Sequence, residues 1–313
     1  MNTNQALFLE YSQFLSRHIN GKVQKLSIDG GFGCPNCDGT LGRGGCAYCN
    51  NHTFTPGYCQ PADSIAVQLQ KGVEFFSHKY PEMKYLAYFQ SHTNTYAPLD
   101  TLKRKYEEAL AQDGIVGLVI GTRPDCVSNE LLDYLGQLAR HTFVLMEYGL
   151  ESTDPVVLRA INRGHDFAQS RNAIIRTAEH GLHTAAHIIL GLPYATRDQM
   201  LAEPALISEL PLEVLKLHQL QIVKGTALAR QYTENPAKFN YLFSSPADYA
   251  DLTIDYIERL RPDIALERFT SQSPADLLLA PRWGMKNYQF VDLLKKKLQA
   301  SQTWQGRLYQ PNT

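Results

Sequence analysis

Long hydrophobic runs are missing from this sequence of 313 residues. The longest apolar stretches, such as residues 115–120, are far too short to cross a bilayer. The first twenty residues carry no basic start followed by an unbroken apolar run, so they do not have the pattern of a signal peptide. We therefore expect a cytoplasmic protein that makes no contact with a membrane.

An excess of charge of either sign is also missing. The 30 Lys and Arg residues nearly balance the 31 Asp and Glu residues, and the formal net charge is −1. A chain with this balance has no strong overall attraction for polyanions. The composition therefore does not favour nucleic acid as a partner. A local basic surface is still compatible with this near-neutral net charge.

Cysteines are few, and six in a chain of this length do not make a disulfide scaffold. Four of them fall between Cys34 and Cys49. In a reducing compartment, thiols this close together indicate a metal site or redox chemistry. We expect Cys59 and Cys126 to be ordinary buried thiols, with Cys126 just beyond a predicted strand and so near a pocket.

The rest of the composition is that of a folded protein, with 44% hydrophobic residues and short β-rich runs that alternate with helical segments. This alternation predicts parallel strands joined by right-handed crossovers. Three helix boundaries support it: Asp154 before Pro155, Thr196 with Gln199 as a capping box, and Gly181 after a helix. The predicted strands are residues 23–28, 85–90, 115–120, 142–148, 184–190 and 214–222.

These elements predict a partial (β/α)6 TIM-like barrel with an N-terminal helix and a short α/β C-terminal extension. We place the helix at residues 1–20, the barrel at 21–233 and the extension at 234–313, where a helix (247–260), a strand (264–269) and a terminal helix (286–298) are expected. Ligands of such folds bind at the carboxyl ends of the strands.

The stretch GGFGCPNCDGTLGRGGCAYCNN follows the first predicted strand and fits two kinds of site. Two CxxC pairs could close a structural zinc site with four cysteine ligands. Against this, the eight residues between Cys37 and Cys46 are fewer than in the usual zinc ribbon. In the alternative, Cys34, Cys46 and Cys49 hold three irons of a [4Fe-4S] cluster, Cys37 is a bystander, and the fourth iron is open to a small molecule.

The second kind of site resembles that of a known superfamily. Cys-x11-Cys-x2-Cys after the first strand, with Tyr48 just before the last cysteine, resembles the cluster loop of radical S-adenosylmethionine (SAM) enzymes. Within that superfamily the chain resembles the uncharacterised bacterial YhcC-like subgroup, which is related to the radical domain of the elongator catalytic subunit and to oxygen-independent coproporphyrinogen oxidases. The stretches that carry this resemblance are, in order, GGFGCPN, DGTLGRGGCAYCNN, IGTRPDC, EYGLES, INRGHDF and HIILGLP.

The resemblance runs from about residue 23 to the C-terminus and implies a [4Fe-4S] cluster and SAM as cofactors. In related enzymes the positions of Gln90 and Ser91 lie where the SAM amino group binds, and that of Glu151 contacts the ribose. The position of Arg163 pairs with the SAM carboxylate, which a guanidinium can hold with two hydrogen bonds. The predicted cofactor-binding residues are Tyr48, Gln90, Ser91, Glu151, Arg163 and His187.

The substrate is not specified by a motif. Arg123, His187 and His218 lie where predicted strands end, and this suggests a polar, anionic compound of small or medium size. Strand alternation places His218 on one face and Gln219 and Gln221 on the other, so only one set is expected to point inward.

The resemblance also implies a flavodoxin or ferredoxin as the electron donor. Two alternatives stay open from the sequence. One is a tRNA- or RNA-modifying enzyme with the same radical chemistry, and the other is a binding protein without it, stabilised by zinc on the four loop cysteines.

Overall fold

The computed structural model describes residues 6–53, 55–60, 62–77 and 82–311. Within these residues, seven parallel strands form one sheet in the order β1-β2-β3-β4-β5-β6-β8, which is the predicted partial α/β barrel. A short antiparallel pair, β7 with β9, lies outside it. The strands are β1 (Val23–Ile28), β2 (Lys84–Phe89), β3 (Ile115–Thr122), β4 (Phe143–Glu151), β5 (His183–Leu190), β6 (Val214–Gln219), β7 (Ile222–Val223), β8 (Ala265–Arg268) and β9 (Leu278–Ala280).

Helices connect the strands, and the three boundaries predicted from the sequence are confirmed. The Asp154 carboxylate caps α6, Thr196 and Gln199 form a capping box at α8, and Gly181 follows α7 with φ +73°. None of the described helices is long and apolar enough to cross a membrane. The helices are α1 (Tyr11–His18), α2 (Pro35–Asp38), α3 (Ile65–Ser77), α4 (Leu99–Leu110), α5 (Asn129–Leu138), α6 (Pro155–Ala160), α7 (Phe167–Glu179), α8 (Arg197–Ser208), α9 (Ala227–Glu234), α10 (Pro246–Ile257) and α11 (Asn287–Ala300).

Several elements differ from the sequence prediction. Helix α1 is shorter than predicted because the residue before it, Glu10, forms an extended backbone bridge to Leu266; residues 1–5 of the prediction lie outside the described residues. The strand predicted at 214–222 ends at Gln219, since Ile222 turns away to pair with Ala280 of β9. The strand predicted in the C-terminal extension is β8, and it joins the main sheet beside β6.

The two faces of the sheet have different cover. On one face, residues such as Leu26 and Ile120 pack in the main hydrophobic core under the connecting helices. On the opposite face, Phe14 and Leu15 of α1 pack against residues near the strand starts, such as Leu145. The part of this second face nearer the strand ends is therefore left for a cavity.

Candidate active site

A cavity of about 1070 Å³ opens on this second face, between the cysteine loop and α1. Sites for one small molecule typically enclose about 300–1,000 Å³, so the volume allows more than one ligand. All but one of the residues predicted to bind the cofactors line the cavity: Cys34, Cys46, Tyr48, Cys49, Gln90, Glu151, Arg163 and His187.

Ser91 is the exception. It is buried, and its hydroxyl lies 3.0 Å from the hydroxyl of Thr55, so it holds the neighbouring loop and is not among the described residues that line the cavity. Gln90 does line the cavity, and its amide oxygen accepts a hydrogen bond from Ser27 at 2.9 Å. His92, which follows Ser91, also lines the cavity and has a left-handed backbone with φ +65°.

The cysteine loop is held by the turn that follows α6. The side-chain amide of Asn36 donates to the carbonyl of Asn162 at 2.6 Å, and the amide of Asn162 donates to the carbonyl of Gly45 at 2.8 Å. Asn162 has φ +52°, a left-handed conformation that asparagine tolerates better than most residues. The sequence prediction did not include these two asparagines. The motif INRGH indicated the turn, but only its arginine, Arg163, was assigned a role.

The four thiols of the loop all line the cavity and are all free. Burial raises the pKa of Cys49. Partial loss of solvation around the sulfur of Cys37, whose side chain is otherwise exposed, acts together with the Cys34 thiol to raise the pKa of Cys37 to about 11. Such thiols are protonated at neutral pH, and a metal that binds them must displace the protons. The donor set fits an iron–sulfur cluster on three thiolates, and it also fits a four-thiolate metal site.

A buried arginine lies next to these thiols. Arg163 Nη1 donates to Cys46 Sγ at 3.4 Å, and Nη2 donates to the carbonyl of Gly149 and lies 3.4 Å from Glu151 Oε1. Burial alone would lower the pKa of Arg163, but Tyr48, Cys46 and Glu151 raise it well above its usual value. Its Nε is buried without a partner among the described residues. Arg163 is therefore a permanent positive charge with one donor left for a ligand.

A bulge in β4 places the acid that pairs with this arginine. The register between β4 and β5 shifts at Gly149 and Glu151, and Glu151 has φ +70°. A Cβ atom on Gly149 would lie 2.5 Å from Glu151 Oε1 and 2.6 Å from Arg163 Nη2, so a larger residue does not fit. The bulge thus lets both charged side chains reach the cavity wall. The ribose contact of Glu151 stays a prediction.

A buried ion network lies deeper in the cavity. The Glu147 carboxylate lies 2.7 Å from Lys216 Nζ, 2.9 Å from Lys25 Nζ and 2.7 Å from His187 Nε2. Glu267 lies 2.7 Å from the ammonium of Lys25 and 3.2 Å from that of Lys216. The network therefore joins five strands, β1, β4, β5, β6 and β8, across the inner face of the sheet.

Burial and opposite charges compete within this network. Burial would raise the pKa of Glu147, but Lys216 and Lys25 lower it well below its usual range. For Lys25, the two carboxylates of Glu147 and Glu267 outweigh burial and raise the pKa, whereas for Lys216 burial prevails and lowers it. The Tyr88 hydroxyl also donates to Glu147. Glu147 is consequently ionised at neutral pH and depends on its partners to stay so inside the protein.

Three groups that line the cavity have donors or charges left over. Arg268 lines the cavity and its backbone pairs with Lys216 of β6, but its guanidinium has no hydrogen-bond or ion-pair partner among the described residues. Burial lowers the pKa of His218 well below its usual value, and its Nδ1 has no partner in the described part of the chain. Arg123 donates to Asp125 at 2.9 and 2.8 Å, yet it lines the cavity and its buried Nη1 is likewise unpaired there. An anion in the cavity would satisfy these groups.

Sequence analysis missed most of this inner layer. The signal was present, because Lys25 and Lys216 lie inside predicted strands and lysine is rarely buried unless it is paired. The expectation that either His218 or the pair Gln219 and Gln221 points inward was wrong, because all three line the cavity. β6 ends at Gln219, so strand alternation does not apply to Gln221. Gln219 lies at this strand end, where its side-chain amide donates to the carbonyl of Ser271, another residue that lines the cavity.

The remaining two cysteines are not among the described residues that line the main cavity. Cys59 is buried, as expected, and its thiol donates to the carbonyl of Ser27. Cys126 is half-buried and lines a separate cavity of about 480 Å³ beside the start of α5.

One distant structural match and one partial sequence match relate this chain to known proteins. The structure of an Elp3 from the archaeon Methanocaldococcus infernus aligns with a TM-score of 0.66 at 14% identity and covers 91% of this chain. This chain covers 64% of that protein, which is less than two thirds of its length. The tRNA uridine(34) acetyltransferase of Dehalococcoides mccartyi (strain CBDB1) is 28% identical over 127 residues, which are 40% of this chain and 27% of the relative.

Two family models and a relative that is matched over most of its length show the family of this chain. The model of the radical SAM superfamily matches residues 37–203, and the model of the radical SAM C-terminal domain matches residues 212–300. The chain is 36% identical to protein YhcC of Escherichia coli (strain K12) over 270 residues, which are 86% of this chain and 85% of the relative. The resemblance to YhcC-like proteins is thereby confirmed. The chain belongs to the radical SAM superfamily, whose members bind a [4Fe-4S] cluster and SAM.

Proposed function

We propose that the protein cleaves SAM reductively and uses the resulting 5′-deoxyadenosyl group to abstract hydrogen from a polar, anionic substrate. The observation that carries this proposal is the position of Arg163, which connects the loop thiol of Cys46 with Glu151 on the wall of one cavity. The [4Fe-4S] cluster, when bound, supplies the electron for the cleavage. The residues of the chain bind and orient the reactants and exclude water.

The cofactor residues divide between the loop and the strand ends. In this proposal Cys34, Cys46 and Cys49 hold the cluster, and Cys37 stays outside it. Arg163 receives the SAM carboxylate, because it combines a permanent charge with an unused donor next to the loop. Glu151 lies on the same wall and accepts hydrogen bonds from the ribose hydroxyls. A flavodoxin or ferredoxin delivers the electron.

The substrate binds between SAM and α1. Arg268 and His218 offer unused donors beside the ion network, and Arg123 offers one nearer to Arg163 and Cys46. Guanidinium groups bind carboxylates and phosphates well. The paired lysines and glutamates behind them are already compensated, so they hold the wall in shape and do not take part in binding. These features support an anionic substrate that fits inside the cavity.

A second candidate is the modification of an RNA nucleoside. The match with the tRNA uridine(34) acetyltransferase favours it, because that relative's name states an RNA target. A nucleotide is an anion as well, so the same cavity groups would serve. The two candidates differ outside the cavity, where RNA requires a basic surface, and the net charge of −1 does not favour one.

The SAM step is tested with reduced, anaerobically reconstituted protein. We expect slow formation of 5′-deoxyadenosine and methionine without substrate, measured by chromatography. Arg163→Ala should weaken SAM binding by about 1.5–3 kcal/mol, or about 10- to 150-fold, because it removes a charge-assisted hydrogen bond. Arg163→Lys retains the charge and should lose less affinity, provided that the iron content of both variants is unchanged.

The outcomes of this test separate the reaction from the residue. If no 5′-deoxyadenosine forms above the level of a cluster-free control, the proposed reaction is wrong. If Arg163→Ala binds SAM normally, only the role of that arginine is wrong.

The substrate class is tested by binding of bulk tRNA at several salt concentrations. Because we favour a small or medium anion, we expect weak tRNA binding at physiological salt, and Arg268→Gln should leave it unchanged. A high affinity that falls steeply as salt rises would contradict this choice and favour RNA modification.

A further inference from the structure

Three potential metal ligands meet at the end of the barrel opposite the cysteine loop. His18 is the last residue of α1, His183 is the first residue of β5, and Glu213 precedes β6. One ligand atom from each lies within 4.8 Å of the others. The three come from separate elements, and β5 and β6 fix two of them because these strands are paired neighbours.

The distances are close to those of a coordination site. In a tetrahedral zinc site with bonds of about 2.0–2.1 Å, two ligand atoms lie about 3.3 Å apart. His183 Nδ1 and Glu213 Oε2 are 2.9 Å apart, so this pair needs almost no change. The ring of His18 lies 4.3 Å from that of His183 between centroids. His18 is exposed, so its side chain can rotate to close the remaining gap.

The surroundings position the imidazole of His183. The His183 ring stacks on Phe143 at 4.9 Å and meets the edge of Phe14 at 5.6 Å, so aromatic rings hold it in place. The carboxylate of Glu213 would offset part of the charge of a divalent ion, and Arg17, the residue before His18, is a nearby cation that would repel the ion.

We propose that His18, His183 and Glu213 bind a zinc ion that clips helix α1 to the sheet. Two imidazoles and a carboxylate are a common zinc ligand set, with water as the fourth ligand. The consequence reaches the substrate cavity, because Tyr11 and Leu15 of the same helix line it. A zinc ion at this site would therefore fix one wall of the cavity. The inference is independent of the proposed reaction.

The test uses cluster-loaded protein, so that the loop thiols are occupied. After anaerobic equilibration with zinc and removal of free metal, we expect one zinc per chain by mass spectrometry. His18→Gln and His183→Gln should each bind zinc at least about 10- to 100-fold more weakly, since even partners outside the ligand shell matter this much. His180→Gln is the matched control, because His180 also lies near a carboxylate, that of Asp133, but in a pair without a second histidine.

A second arm excludes zinc at the cysteines. In a variant with all four loop cysteines replaced by serine, Co²⁺ should give the absorption of a nitrogen and oxygen site, without the intense bands of thiolate ligands. Zinc should also raise the unfolding temperature of the cluster-loaded parent protein, but not that of its His18→Gln and His183→Gln variants. The proposal is overturned if the parent binds no zinc, or if His18→Gln and His183→Gln retain it with parental affinity.

Discussion

Replacing Cys34, Cys46 or Cys49 with serine is expected to abolish the iron–sulfur cluster, whereas Cys37→Ser is expected to retain it. Each of the three thiolates holds one iron, and a serine hydroxyl is a poor replacement because it is not ionised at neutral pH. The reconstituted parent and the Cys37→Ser variant should contain about four irons and four sulfides per chain. Iron and sulfide analysis, together with electron paramagnetic resonance of the reduced protein, measures this.

Cys37→Ser is the informative control because the structure places all four thiols at the same cavity. Cys37 is exposed, whereas Cys46 is buried and accepts a hydrogen bond from Arg163. Loss of the cluster in Cys37→Ser would contradict the three-cysteine assignment. A zinc content near one per chain without iron uptake would instead favour the four-cysteine site.

The cysteine loop could be predicted from the sequence because its chemistry is local. Cys34, Cys46 and Cys49 lie within one short stretch, and the strand before it fixes where the loop must be. The same holds for Arg163 and Glu151, each of which follows a recognisable strand or helix. Their shared position at one cavity then follows from the rule that parallel strands end at the same edge.

The ion network could not be predicted, because its members are distant in sequence. Lys25, Glu147 and Lys216 lie on different strands, and their contact depends on strand order and register. A shift of one residue in any strand would turn its side chain to the other face. The location of Glu267 depended on β8 joining the sheet, which the sequence pattern did not indicate.

The largest effect on stability is expected from Glu147→Gln. This change leaves Lys25 and Lys216 buried with Glu267 as their remaining carboxylate partner in the described network. Removal of one member of a buried ion pair typically costs about 3–5 kcal/mol, because the other charge stays without compensation. The free energy of unfolding should fall by this amount, measured by urea denaturation of the reduced, cluster-free protein.

Two matched variants test this explanation. Asp251→Asn removes a carboxylate that is 57% accessible and pairs with Lys297, and it should cost no more than about 1 kcal/mol. Adding Lys216→Met to Glu147→Gln should recover part of the lost stability, since it removes one uncompensated ammonium. If the double variant is as unstable as the sum of the single variants, the two residues are not coupled and the network does not stabilise the fold as described.

The effect of Glu147→Gln should also depend on pH, in a direction that follows from the pKa shifts. Because the folded protein lowers the pKa of Glu147, its carboxylate stabilises the fold above the unfolded pKa of about 4.3, and this stabilisation is lost as the pH falls through the lower folded pKa. The parent should therefore lose more stability in acid than the variant.

At alkaline pH the relevant group is Lys216, whose pKa the fold lowers. Its buried charge destabilises the folded protein below that pKa, and this destabilisation disappears as the pH rises towards the unfolded pKa of about 10.4. The difference in unfolding free energy between the two proteins should accordingly be largest near neutral pH and smaller at both extremes. A difference that stays constant from acid to alkaline pH would mean that Glu147 acts through its shape and not through its charge.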